Sequence, residues 1–183
     1  MVKGAVRPKS QFLGQYDLNY TCEILYYARS KGELHALREC SPLELREELR
    51  RNYRALIVAG YYRKLAGEFS PDGPDCREWY DLLDVSLSHL RADIQNLLAF
   101  EMQVLNLLGL QPELESLGEG GFALRGERRM PITAEVSEFL GNPLQKVKNS
   151  QIPLDAARVI GVFYQFHLDC SPEVRRSVLR MIS

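Results

Sequence analysis

The stretch ELHALRECSPLE, residues 33–44, marks the change from β to α structure in this chain of 183 residues. Residues 33–40 continue an alternating, strand-like pattern. From Ser41 onward the apolar period becomes 3.6, and Ser41-Pro42-Leu43-Glu44 has the form of a capping box, with Ser at the cap and Pro in the first helical position. The sequence therefore predicts a strand that ends near Cys40 and a helix that begins at Ser41.

Upstream of this point the chain has β character. Residues 12–27 contain four Tyr together with Thr21 and Ile24 and alternate in part, which favours a strand. The tetrapeptide RSKG, residues 29–32, is typical of a turn. We therefore expect a β-hairpin over residues 16–40.

Downstream of Ser41 the pattern is helical. The first helix is predicted to end near Gly67, and a break near Arg51-Asn52 is an alternative to one continuous helix. Its apolar face comprises Leu45, Leu49, Tyr53, Leu56, Ile57, Gly60 and Tyr61. Further helices are expected over 79–90, 94–108, 133–140, 143–149, 153–169 and 172–182, with an irregular, glycine-containing lobe at 113–130. The fold class is α+β: a small β head, residues 1–40, followed by a mainly α-helical domain, residues 41–183.

Composition and cysteine spacing exclude several classes of protein. A hydrophobic content of 45% can fill a core, and the apolar runs are too short to cross a bilayer. No secretory signal begins the sequence, so a cytoplasmic location is expected. Cys22, Cys40, Cys76 and Cys170 contain no CxxC pair, so we expect reduced, packed thiols and neither a metal site nor another cofactor.

No catalytic constellation is recognisable, and a non-enzymatic protein is expected. The sequence has no Walker loop, GxGxxG, HExxH or GxSxG, and Gly118–Gly121 is interpreted as a flexible loop. Glu101 falls within the apolar stripe of the 94–108 helix, where an unpaired carboxylate is costly. It is expected to pair with an arginine of a neighbouring helix or to reach solvent; an acid with a raised pKa is the less favoured alternative.

The net charge of −1 hides an asymmetry along the chain. Residues 1–64 carry 12 Lys+Arg against 7 Asp+Glu, a balance of +5, and residues 65–183 carry 11 against 17, a balance of −6. A basic first third indicates a polyanionic partner. Charge clustering on solvated surfaces is the equally favoured alternative.

Basic and aromatic residues are interleaved in this basic third. Cations neutralise phosphates and exposed aromatic faces stack unpaired bases, so the combination favours single-stranded nucleic acid. For each tyrosine, the favoured alternative is that it is simply a strand residue, with half of the four in the core. For the lobe arginines a solvated loop is as well supported. The predicted DNA-binding residues are Lys3, Arg7, Lys9, Arg29, Lys31 and Arg38, with a second cluster at Arg125, Arg128 and Arg129, and the interleaved tyrosines are Tyr16, Tyr20, Tyr26 and Tyr27.

Three segments together resemble the bacterial RecO recombination mediators: VKGAVRPKS at 2–10, GELHALRE at 32–39, and Phe100-Glu101 followed by LLGLQP at 107–112. The resemblance implies an OB-fold head and a helical body. It implies binding of single- and double-stranded DNA, annealing of complementary strands, and association with RecR and single-strand-binding protein to help load the RecA recombinase. Such barrels bind single strands through basic and aromatic residues.

The chain departs from the RecO pattern in two places. Relatives carry residues before the KGAxRPKS stretch that form the first barrel strands, whereas Met1 lies directly at that stretch, which predicts either an incomplete barrel or a reading frame that starts too late. Many relatives hold a cysteine zinc site in the segment that corresponds to 113–129, which has no cysteine here. An alternative function is therefore a protein-interaction module of the same pathway with little DNA binding of its own.

Overall fold

The structure, a computed structural model, describes residues 12, 14, 16–28, 35–73, 76–112, 114–116, 121–124, 131–146, 151–169 and 172–182. The chain divides into two compact units, residues 1–51 and 52–183. The domain limits at residues 40 and 41 stay a prediction. The elements are β1 Thr21–Tyr27, β2 Ala36–Glu44, α1 Glu47–Arg51, α2 Tyr53–Phe69, α3 Arg77–Ser88, α4 Ile94–Leu107, β3 Leu114–Ser116, β4 Gly121–Leu124, β5 Pro131–Thr133, α5 Ala134–Gly141, α6 Gln151–His167 and α7 Pro172–Ile182.

The described part of the first unit is built around the antiparallel pair β1 and β2, which confirms the predicted hairpin. Ile24 lies opposite Cys40, and Cys22 lies opposite Pro42. The register shifts twice, and each shift leaves one extra residue in β2, Arg38 at one shift and Leu43 at the other. Such bulges re-aim the side chain of the extra residue.

The capping-box interpretation of Ser41-Pro42-Leu43-Glu44 is wrong. These four residues continue β2, because Ser41 and Pro42 pair with Glu23 and Cys22 of the neighbouring strand. Proline is tolerated there because both strands of a two-stranded sheet are edge strands. The alternative of a broken first helix is confirmed: α1 ends at Arg51, and the Asn52 side chain caps α2 by accepting from the Ala55 amide at 3.2 Å.

The core of the helical unit includes most of the apolar face of α4. Asp93 caps this helix by accepting from the Asn96 amide at 2.8 Å. Gly109 ends it with a positive φ of 67°, a conformation that glycine adopts without strain. The fully buried side chains that α4 shares with α2, α5 and α6 are Val58, Tyr62, Leu97, Leu98, Val104, Leu105, Phe139, Ile160 and Tyr164.

The stretch predicted to be an irregular lobe contains strands. β3, β4 and β5 form an antiparallel sheet in that order, and Phe122 lies opposite both Ser116 and Ile132. Thr133 ends the sheet and caps α5 by accepting from the Val136 amide at 3.3 Å. The helix predicted over 143–149 is not formed at 143–146, which are turn and irregular backbone, and its remainder lies outside the described residues.

The α+β class with a small β element followed mainly by helices is confirmed. The helices predicted over 79–90, 94–108, 133–140, 153–169 and 172–182 are each present, and none of their ends is displaced by more than two residues. The OB-fold character of the first unit stays a prediction.

Candidate nucleic-acid interface

The tyrosines of the hairpin unit lie at its surface. Tyr26 and Tyr27 are 49% and 59% exposed, Tyr16 is 39% exposed, and Tyr20 is half-buried. Large aromatic side chains are normally used to fill a core, and the favoured alternative was that these tyrosines are ordinary strand residues, half of them in the core. Tyr26 and Tyr27 are strand residues, but none of the four is buried, so the core part of that alternative is wrong.

Tyr26 and Tyr27 are consecutive strand residues, so their rings point to opposite faces of the hairpin. Each ring contacts a described residue of the same unit. Tyr26 stacks on His35 with 5.1 Å between ring centroids and an interplanar angle of 23°. The Arg38 guanidinium lies 5.7 Å from the Tyr27 ring centroid. This second distance is near the outer limit of a cation–π contact, so both faces present an aromatic ring to solvent.

Arg38 is the one predicted DNA-binding residue that the structure describes. It is the extra residue of a bulge, and its Nε lies 3.2 Å from Oε1 of Glu39, with both side chains more than half exposed. An exposed pair of this kind is held weakly, so a phosphate can replace the carboxylate. The other predicted residues, Lys3, Arg7, Lys9, Arg29, Lys31, Arg125, Arg128 and Arg129, lie outside the described residues.

The described strands therefore carry the aromatic half of the predicted interface, and its cationic half lies elsewhere. Along β1 and β2 the charged residues are Arg38 against Glu23, Glu39 and Glu44. Attraction of a polyanion cannot come from the strands alone. The predicted cationic residues of the flanking segments lie outside the described residues, and their role stays a prediction.

Two arginines near the end of the hairpin were not assigned a role from the sequence. Arg46 is buried, donates to the Asn19 carbonyl at 2.9 Å and to the Thr21 hydroxyl at 2.8 Å, and pairs with Glu44. Arg50 lies over the Tyr20 ring, 5.3 Å from its centroid, and pairs with Asp17. Both tie the segment before β1 to the segment after β2, a contact between distant residues that no local pattern reveals.

The helical unit holds a buried ion pair at Glu101. Its two carboxylate oxygens accept from Arg175 Nε at 2.7 Å and Nη2 at 2.8 Å, and the Tyr61 hydroxyl donates to Oε1 at 2.7 Å. The expectation that Glu101 pairs with an arginine of a neighbouring helix is confirmed. Together with Tyr61, the pair links α2, α4 and α7. Because both oxygens of Glu101 already accept hydrogen bonds, the role of the pair is to hold these helices in position.

The pKa values of the surrounding groups follow from this arrangement. Burial raises the pKa of the Tyr61 hydroxyl well above its ordinary value, and the Glu101 carboxylate adds to the shift. Burial alone lowers the pKa of Arg175, but the attraction of Glu101 outweighs it and the net shift is upward. Arg175 therefore stays charged and Tyr61 stays neutral, so neither is suited to transfer a proton near neutral pH.

A cavity of about 400 Å³ lies beside this ion pair, between α2, α6 and α7. Its walls are mostly aliphatic, with Leu65, Val162 and Leu179 among them. The cations Lys64, Arg158 and Arg176 also line it, against one carboxylate, Glu68. In a unit that is acidic overall, this cavity has a locally cationic lining.

No cluster of three or more His, Cys, Asp or Glu is placed to hold a metal ion in the part of the chain that the structure describes. Over the same residues, no helix combines the length and apolar character that a membrane crossing requires.

These features define a class: an α+β protein in which a small strand pair with exposed aromatic residues precedes a helical domain built around a buried ion pair. Residues 50–176 match the model of the family described as Recombination protein O C terminal. That match covers more than half of the 183 residues, so the chain belongs to the RecO family, which confirms the resemblance. Comparisons with curated proteins and with solved structures gave no significant match. Family membership indicates a role in recombination and DNA repair.

Proposed function

We propose that this protein binds single- and double-stranded DNA and anneals complementary strands, and that with RecR and single-strand-binding protein it helps load the RecA recombinase. The observation that carries the proposal is the exposure of Tyr26 and Tyr27 on opposite faces of the hairpin. Apolar rings stay exposed at a cost unless a partner covers them, and a nucleic-acid base is such a partner. The protein acts by binding, without catalysing a reaction, and works in the cytoplasm where the DNA is.

The mechanism follows from the chemistry of each half of the interface. Lysines and arginines of the basic segment attract the phosphates and release counterions. An unpaired base then stacks on Tyr27, beside the Arg38 guanidinium, whose exposed ion pair with Glu39 gives way to a phosphate. Since stacking uses the face of any base, two complementary strands are held without sequence preference until they pair.

The test is fluorescence anisotropy with a labelled single-stranded oligonucleotide at low salt. Tyr27→Ala is expected to weaken binding by about 1–3 kcal/mol, the value of one base–aromatic stack. Tyr80→Ala is the matched control, because Tyr80 is 54% exposed but lies on α3 of the helical unit. Equal affinities for the two variants, or no binding of the unaltered protein at low salt, would disprove the proposal.

The cationic half is tested separately. The triple variant Lys3→Ala, Arg7→Ala, Lys9→Ala is expected to weaken binding and to lower the dependence of log K on log salt by about 2 for single strands. An unchanged salt dependence would remove these residues from the site even if Tyr27 is needed.

A second candidate function is a protein-interaction module, which the cationic, aliphatic cavity between α2, α6 and α7 favours. A partner segment that combines acidic and apolar residues suits this lining. Pull-down with RecR and with single-strand-binding protein, run beside the DNA titration, separates the two candidates. Partner capture without DNA binding supports the second; DNA binding that is lost in Tyr27→Ala supports the first.

A further inference from the structure

The hairpin brings two cysteines together. Cys22 lies on β1 and Cys40 on β2, 18 residues apart in sequence. Cys40 is directly opposite Ile24, and Ile24 is two residues from Cys22. Because side chains alternate along a strand, Cys22, Ile24 and Cys40 share one face of the sheet. The two thiols are diagonal neighbours there, and a hydrogen bond joins them.

The two thiols differ in their access to solvent. Cys40 is buried, with 8% of its surface exposed, whereas Cys22 is half-buried. A dissolved oxidant therefore reaches Cys22 first, and Cys40 is held beside it as the second thiol. This arrangement of one accessible and one neighbouring cysteine is what oxidation to a disulfide requires.

We propose that Cys22 and Cys40 form a reversible intramolecular disulfide when the protein meets hydrogen peroxide. The Cys22 sulfur attacks one peroxide oxygen, the O–O bond breaks, and one water leaves as Cys22 becomes a sulfenic acid. The Cys40 sulfur then attacks the Cys22 sulfur, the S–O bond breaks, and a second water leaves. The two thiols lose two protons and two electrons, and the peroxide is reduced to two molecules of water.

The geometry predicts that this disulfide is easily reduced. Diagonal neighbours in an antiparallel pair are separated by about 7–8 Å between Cα atoms, beyond the usual range for a disulfide. Bridging the two residues must draw the strands together, and a strained disulfide has a higher reduction potential than a relaxed one. The adjacent register shift between Thr21 and Cys22 gives the ladder a place to bend.

The reaction is also expected to be slow near neutral pH. Burial raises the pKa of the Cys22 thiol, and the hydrogen bond with Cys40 and the proximity of Cys40 add to the shift. A raised pKa lowers the thiolate fraction, and the thiolate is the nucleophile. The pair thus stays a dithiol until peroxide is sustained.

The consequence concerns the hairpin itself. A bond from Cys22 to Cys40 would fix the pairing of β1 with β2 at Cys22. Tyr26 lies four residues further along β1, and its side chain is on the same face of the sheet as Cys22. Peroxide would then act directly on the element that carries the exposed tyrosines.

The experiment exposes the dilute, full-length, reduced protein to hydrogen peroxide, blocks the remaining thiols and digests with trypsin. Cleavage at Lys9, Arg29, Arg38 and Arg46 places Cys22 in peptide 10–29 and Cys40 in peptide 39–46. Mass spectrometry is expected to find these two peptides joined, in a band that runs as a monomer on a non-reducing gel, and dithiothreitol is expected to release them.

The controls are cysteine variants. Cys76→Ser, in the helical unit, is expected to leave the joined peptide unchanged, and Cys40→Ser to abolish it. The proposal is overturned if the unaltered protein gives no joined peptide, if Cys22 proceeds to sulfinic acid instead, or if the link appears only in dimers. None of these readouts depends on DNA, so failure here leaves the proposed function standing, and the reverse also holds.

Discussion

Arg38 in the hairpin and Arg175 in the helical unit both stand beside a glutamate and a tyrosine, in opposite surroundings. The Arg175 and Glu101 side chains are 10% and 0% exposed, whereas those of Arg38 and Glu39 are 52% and 63% exposed. Arg175 makes two hydrogen bonds to its carboxylate, at 2.7 and 2.8 Å, whereas the Arg38 Nε lies 3.2 Å from Glu39 Oε1. The same three residue types thus form a fixed link in one unit and an exchangeable one in the other.

The difference shows how burial decides what a charged side chain can do. In the interior, a charge that loses its partner stays without water and without a counter-charge, which costs free energy. The buried pair therefore does not separate to bind a ligand. At the surface, water replaces the partner at little cost, and a phosphate can do the same. Binding of a polyanion is therefore expected at Arg38, and stability is expected to depend on Arg175.

The largest effect is expected when the buried pair is broken. Arg175→Met leaves the Glu101 carboxylate unpaired in the core and should lower the free energy of unfolding by about 3–5 kcal/mol. Urea denaturation followed by circular dichroism measures it. Arg176→Met changes the exposed neighbour and should stay within about 0.5 kcal/mol of the unaltered protein. Similar losses for the two variants would show that the pair is not the link described.

A second variant separates charge from packing. Glu101→Leu combined with Arg175→Met removes both charges together, and apolar replacement of a whole buried pair is often neutral. The double variant should therefore be more stable than Arg175→Met alone. If it is less stable, shape at this position matters more than charge.

The next effect is a loss of stability at alkaline pH. Burial raises the pKa values of Tyr61 and Tyr62 above the ordinary value, and Glu101 adds to both shifts. Below pH of about 10 both hydroxyls are protonated in the folded and unfolded states, and their contribution is fully present. Above it the unfolded chain releases protons that the folded state keeps, so stability falls with rising pH, by about 1.4 kcal/mol per pH unit for each tyrosine.

Denaturation measured from about pH 8 to about pH 11, a span that includes the ordinary tyrosine pKa of about 10, checks this. Tyr62→Phe removes one of the two hydroxyls, so the loss of stability with rising pH should become less steep by the contribution of one tyrosine. The hydrogen bond that this variant loses is the one from the Tyr62 hydroxyl to the Asn96 carbonyl, at 2.9 Å. Tyr80→Phe, at an exposed position, should leave the fall as steep as before. An equal change in both variants would mean that burial is not the cause.

A smaller effect, with opposite signs at two glycines, is expected beside the ion pair. A Cβ at Gly161 would lie 2.6 Å from Arg175 Nη1, whereas one at Gly60 would meet only Arg63 Nη2, at 3.8 Å. Gly60→Ala should stabilise α2 by about 1 kcal/mol through helix propensity. Gly161→Ala should lose about 1–2 kcal/mol net, because the displaced guanidinium weakens its bonds to Glu101. Thermal unfolding of the two variants gives the signs directly.

The sequence predicts Glu101 as a paired residue but not its partner. Its place in the apolar stripe of α4 is a local property that periodicity reveals. Arg175 is 74 residues away, and only the packing of α7 against α2 and α6 brings this arginine to Glu101. For the same reason the sequence does not reveal the close approach of Arg175 to Gly161.

The errors in the fold have a similar origin. Ser41-Pro42-Leu43-Glu44 satisfies the local pattern of a capping box, but pairing with β1 keeps it in the sheet. The helical face predicted through Tyr53 assumes one continuous helix, whereas the cap at Asn52 restarts the helix in a new phase. Tyr53 is consequently 65% exposed, and Ala55, Val58 and Tyr62 face the core in its place.

The smallest expected effect completes the contrast between the two arginines. Arg38→Gln removes a charge whose partner Glu39 is already hydrated, so the free energy of unfolding should change by no more than about 0.5 kcal/mol. The same variant should nevertheless reduce affinity for single-stranded DNA and lower the salt dependence of binding by about 0.7, the share of one phosphate contact. Urea denaturation and anisotropy on the same preparation measure both. If Arg38→Gln destabilises the protein as much as Arg175→Met does, exposure does not distinguish an arginine that binds DNA from one that stabilises the fold. The loss of DNA binding would then follow from a damaged hairpin and not from a lost contact.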